Sequence, residues 1–375
     1  MKTKDSFNRN QFIALGTVVL LSPALRLIPG RPAAFSGRAA WLTPAAAVPV
    51  LLLYVYFISR FMAARQNGEG LAELTLRALG KKAGVPVLLL FSAWLLLYGG
   101  FILRSGADRL ITTIYPQSSP GIFTIVMGII SLVAALGSAR SIARVAKMVL
   151  PVVLSVLLFV LLFGLFSADK ANLLPVTYHD AAPVLLGSLA VVDVVAVVLY
   201  IACFFSAMMP KEEGRFKAYS IWLGCVCLLL TALSIAVVGS FGPELTARLA
   251  RPFFALVRNL VFFNSLERVE ALVVTLWVFP DFLLVSMLLF SAQLCLRRAM
   301  GQSPFYQGEG LTDISRGRWV IWLCGTAVMA VGLFIGSKPH GLTLWSNTVI
   351  PLINLGFAFA VVPLIYLVGK LRKKL

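Results

Sequence analysis

An aspartate stands alone in Leu189-Ala-Val-Val-Asp193-Val-Val-Ala-Val-Val-Leu199, a stretch with no other polar side chain. A carboxylate in hydrocarbon costs at least about 2.5–3.5 kcal/mol, so it is expected to be functional or internally paired. Two chemistries suit it: partner to a ligand ammonium, or protonatable switch for ion coupling. The structural alternatives are an ion pair with Arg26 or Arg104, or a permanently protonated acid. Asp281 follows Pro280 in another apolar run; it reads either as a proton carrier or as the cap of a helix restarting after the proline. Arg26 suits a ligand carboxylate, or snorkels to the outer interface. Arg104 and Asp108 are four residues apart and fit a local ion pair. Trp94, Tyr98 and Tyr200 would wall a small pocket, unless they serve as packing or interface anchors. Glu267-Arg268-Val-Glu270 opens a run, where acids favour the positive end of the helix dipole or form a docking surface for another subunit.

The elements that must position these residues are long apolar runs. The chain has 375 residues, of which 59% are hydrophobic and 13% charged; a soluble domain carries about 25% charged residues. Runs of about 20 apolar residues match helices crossing about 30 Å of hydrocarbon. Ten are expected: 11–30, 40–60, 84–106, 120–137, 146–166, 183–208, 218–240, 267–296, 318–336 and 345–369. None has the short alternating pattern of a membrane barrel strand. The first run reads as a span rather than a cleaved leader, because it lacks a small-residue exit. Ser22-Pro23 interrupts it. Proline removes a backbone donor and clashes one turn back, so a broken helix lining a polar cavity is expected there.

Net charge is +18, but its distribution argues for a membrane rather than nucleic acid. About two thirds of the Lys and Arg fall in alternate loops and at both termini, which predicts cytoplasmic termini. Residues 243–266 mix basic and apolar residues at helical spacing and read as an interfacial helix on the outer leaflet. Ten spans in one membrane domain, 1–375, divide into five plus five, 11–166 and 183–369. An odd number per half inverts the second repeat, as in leucine-transporter-type folds with broken helices 1 and 6. At 1.5 Å per residue, Ser22-Pro23 and Asp193 both fall roughly 15–17 Å deep, near the midplane.

Enzymatic signatures are missing: there is no His-Glu-x-x-His, Walker loop or Gly-rich nucleotide turn. The five cysteines lie in apolar runs and read as small buried hydrophobes. His179 and His340 are too far apart in sequence to suggest a metal site, and no cofactor is expected.

Several short pieces resemble the B-subunit family of endospore germinant receptors, spore germination permeases of the amino acid/polyamine/organocation superfamily. They are Gln11 and Pro29 bounding span 1, Arg104 in span 3, Ser188-Leu-x-Val-Val192 in span 6, and Leu266-Glu-Arg-x-Glu270 with Trp277 at span 8. Gly68-Glu-Gly-Leu71 and the basic loop after span 6 also fit. The resemblance implies a leucine-transporter-like, all-helical fold and the sensing of small germinants in the spore inner membrane. It implies as partners an A-type membrane subunit and a C-type lipoprotein, with ligand between broken span 1 and spans 3, 6 and 8. Trp94 keeps an aromatic position of the family. Ser22-Pro23-Ala24 replaces a Gly-x-Gly break, and Val198-Leu199-Tyr200 replaces a Gly-x-Glu.

The candidate ligand residues are therefore Ser22, Pro23, Arg26, Trp94, Tyr98, Asp193 and Tyr200, with Asp193 and Asp281 for ion coupling. Three functions fit: a germinant-receptor subunit, an autonomous proton-coupled transporter of amino acids or amines, or a structural subunit with a degenerate site.

Overall fold

The computed structural model describes residues 9–66, 69–208, 215–259, 269–302, 319–336 and 341–374. Every regular element among them is helical. In chain order these are α1 (Arg9–Leu27), α2 (Gly30–Ser36), α3 (Thr43–Ala63), α4 (Leu71–Thr113), α5 (Pro120–Leu136), α6 (Ala139–Phe166) and α7 (Ala181–Phe205). Then follow α8 (Arg215–Phe241), α9 (Pro243–Arg248), α10 (Pro252–Asn259), α11 (Val269–Leu276), α12 (Val278–Ala299), α13 (Trp319–Gly336) and a last span, Gly341–Leu371. Among the described residues nine stretches are long and apolar enough to cross a membrane, and α5 is a shorter apolar helix of 17 residues. The chain is an integral membrane protein.

Burial sorts the helices into centre and periphery. In the stretch containing α7, 78% of the apolar segment is enclosed by protein, against 28% for α6. A helix hydrophobic all round is one buried all round, and α7 has that composition, broken only by Asp193, Ser188 and a few mildly polar groups. Helix α1 packs against α6, α7 and α12, and α4 lies along α12 and α13.

Close helix approach in a membrane depends on small residues. At the crossing of α4 and α13, a Cβ on Gly100 would stand 2.5 Å from Val331 Cγ1 and 2.9 Å from the Gly332 nitrogen. Where α13 meets α5, a Cβ on Gly325 would stand 2.7 Å from Leu132 Cδ2. Helix α4 bends at Gly80, whose φ of 74° lies in the left-handed region that glycine tolerates.

Two expectations are corrected here. The helix is not interrupted at Ser22-Pro23: α1 runs through Pro23 to Leu27. Proline's fixed φ is helical and it removes one donor; Ser22 and Pro23 are both buried on a helix that packs against α6, α7 and α12, so the bend-prone turn is held by protein rather than lipid. Helix α7 is likewise continuous. The segment after α8 is not one helix lying on a leaflet. Over its described residues, 243–259, it forms two short helices, α9 and α10, and Phe253, Phe254, Leu256 and Val257 of α10 are buried. Its apolar stripe faces Trp277, which packs 5.4 Å from Phe253 and 6.2 Å from Phe254, centroid to centroid.

Candidate binding centre and vestibule

The lone aspartate of α7 is 1% exposed and accepts two side-chain contacts. Arg31, on α2 just past the end of α1, meets Asp193 Oδ2 at 3.3 Å. Asn354, in the last span, donates from Nδ2 to Asp193 Oδ1 at 2.8 Å. Three separate chain segments are thus joined at one carboxylate. The partners expected from sequence, Arg26 and Arg104, are not the ones used.

A second buried node lies on α12. Asp281 is 3% exposed. It forms an ion pair with Arg109 of α4 and accepts a hydrogen bond from Ser22 Oγ at 2.5 Å. Arg109 also lies 5.2 Å over the Phe254 ring. Asp281 does sit in the first turn of α12, yet its carboxylate reaches α1 and α4 instead of capping its own helix. Ser22 therefore joins α1 to α12, and its hydroxyl is not part of the Asp193 node.

The aromatic candidates meet each other. Trp94 Nε1 donates to Tyr200 Oη at 3.1 Å. Trp94 stacks on Tyr98 at 5.8 Å and on Phe357 at 6.2 Å, and Phe91 lies 4.8 Å from Phe357. All are buried, so they fill the middle of the bundle rather than wall an open pocket there. Tyr200→Phe would remove the acceptor and strand a buried indole N–H. The expected loss is about 1–3 kcal/mol of stability, read as a lower thermal midpoint of the purified protein.

Beyond this packed middle, at the end of the bundle opposite the termini, a cavity of about 480 Å³ opens between α1–α2, α4, the α9–α10 link and the start of the last span. Arg26, Arg31, Arg248 and Arg251 line it, with Asp108. The expected pair of Arg104 with Asp108 does not form. Asp108 pairs with Arg251, which also donates to Thr112. The cause is geometric, since Arg251 arrives from the α9–α10 link on the cavity side. Burial pulls the Arg251 guanidinium below its ordinary pKa range and Asp108 pulls it back. Arg26 does not snorkel to an interface: its Nε and Nη2 are buried with no hydrogen-bond partner among the described residues, and its guanidinium lies 4.5 Å over Phe101.

Glu267 and Arg268 lie outside the described residues, as does the side chain of Glu270. Of the cysteines, Cys203, Cys227, Cys295 and Cys324 are buried and Cys225 is exposed. Sequence reasoning missed Arg31, Arg109 and Asn354. Asn354 is a lone amide in an apolar run and was open to the same rule that singled out Asp193. Arg31 and Arg109 stood just beyond the expected span ends.

This assembly has the leucine-transporter type of fold. Mhp1, a nucleobase-cation-symport-1 family transporter captured closed with bromovinylhydantoin bound, matches at TM-score 0.61 and 16% identity, over 98% of this chain and 80% of that one. MhsT in complex with L-phenylalanine matches at TM-score 0.54 and 16% identity, over 98% and 99%. No curated protein matches the sequence. The profile of the spore germination proteins matches residues 9–334, and the chain belongs to that family.

Proposed function

We propose that this protein is the membrane subunit of a spore germinant receptor, binding a small germinant near the midplane and helping to trigger germination. One observation carries the reading: the buried Asp193 ties α7 to Arg31 and to Asn354 of the last span. A ligand that competes for this carboxylate would loosen three segments together, and binding that favours one arrangement shifts the population towards it. The partners would be an A-type membrane subunit and a C-type lipoprotein. The site would be in the spore inner membrane, with both termini cytoplasmic and the arginine-lined cavity facing out. Residues 11–166 and 183–369 would be the two inverted repeats, and no catalytic step is required.

The test is germination of spores carrying Asp193→Asn, with the protein level in the inner membrane checked. A response slowed at least tenfold at normal protein level is expected. An unchanged response overturns the role of Asp193. The two buried carboxylates also favour a second reading, proton-coupled transport of an amino acid or amine. Solute uptake by this chain alone in proteoliposomes would establish that reading and displace the receptor one.

A further inference from the structure

The cavity at the end opposite the termini carries a charge pattern that the midplane reading does not use. Four arginines line it, and two of them are answered by carboxylates: Arg31 by Asp193 and Arg251 by Asp108. Arg26 and Arg248 form no ion pair among the described residues, which leaves the cavity with two uncompensated cations. They differ in setting. Arg248 is exposed at the rim. Arg26 is on the wall formed by α1 and held over the Phe101 ring; Nε and Nη2 are enclosed with no hydrogen-bond partner among the described residues, and Nη1 keeps accessible surface. A buried donor without a partner is costly, and a guanidinium that turns its enclosed nitrogens towards the cavity can take a carboxylate through two parallel hydrogen bonds. Phe101 orients the plane of the fork without neutralising it.

The geometry points to a site for a small soluble organic anion with two carboxylates, one seated on Arg26 and the other met by Arg248 towards the rim. The volume of about 480 Å³ admits such a molecule with water to spare, given about 30 Å³ per liquid water. Arg26 lies within electrostatic reach of both Asp193 and Asp281 while pairing with neither. An anion seated on Arg26 would therefore screen it from both nodes. The inference stands on the cavity alone and does not depend on the germination role.

The experiment is calorimetric titration of the purified full chain with succinate, and separately with inorganic phosphate, at constant ionic strength. Saturable succinate binding is expected. Arg26→Gln should weaken it at least tenfold, and Arg26→Lys should recover part of it, because the charge remains and the fork is lost. Arg140→Gln, outside the cavity, should leave it unchanged. The ligand-free Arg26→Gln protein should melt no lower than the parent, since an uncompensated cation has been removed; a clear drop would make Arg26 a packing element and overturn the site. No saturable binding of either anion, or succinate binding indifferent to Arg26, overturns the site. Phosphate binding through Arg26 in place of succinate overturns the carboxylate assignment and indicates a phosphate or lipid-headgroup site.

Discussion

Asp281→Asn is expected to destabilise the protein by about 3–5 kcal/mol, the usual cost of leaving one member of a buried ion pair without its partner. The substitution keeps shape and volume but removes the charge opposite Arg109, whose side chain is 5% exposed. Ser22 has a fallback, because a helical serine hydroxyl can bond the carbonyl four residues back; Arg109 has none of comparable strength, its remaining contacts being the Trp277 carbonyl at 3.5 Å and the face of the Phe254 ring. The charge-free double variant Arg109→Met with Asp281→Leu should be less damaged than either single change, since no unpaired charge then remains buried. Unfolding midpoints of the three variants in detergent measure the coupling. Equal, additive losses would show that the pair is not the unit.

Gly100→Leu is expected to prevent assembly of the bundle, and Gly100→Ala to cost about 1–3 kcal/mol by overpacking. The added atoms would meet the Gly332 backbone nitrogen as well as Val331, and backbone cannot rotate away as a side chain can. Helices α4 and α13 would have to separate. Yield of monodisperse protein and its melting temperature check this. A companion change, Val331→Ala, should rescue only part of the alanine variant, because the backbone contact remains.

The spans were legible because hydrocarbon demands about 20 apolar residues wherever a helix crosses it, and nothing in tertiary packing alters that requirement. The partners of Asp193 and Asp281 were not legible. They come from residues 31, 109 and 354, and only the fold decides which distant segment delivers a guanidinium. Pro23 shows a related limit. Sequence shows that a donor is missing, while the neighbours decide whether the helix bends, breaks or continues. The stripe of residues 252–259 fails for a different reason: an apolar face looks the same whether lipid or protein will cover it. Local spacing misled at Arg104 and Asp108, where the favourable four-residue interval was outcompeted by Arg251 from another element.

The last span holds a register reserve. Two five-residue π-helical stretches, Trp345–Val349 and Phe357–Val361, bracket the turn that carries Asn354. A π turn accommodates one residue more than the α ladder needs, and one residue of an α-helix subtends about 100°. Passing that surplus residue across Asn354 would swing its amide about a quarter-turn from Asp193, while the two ends of the span stay where they are. The whole helix need neither slide nor break for one internal side chain to change its facing.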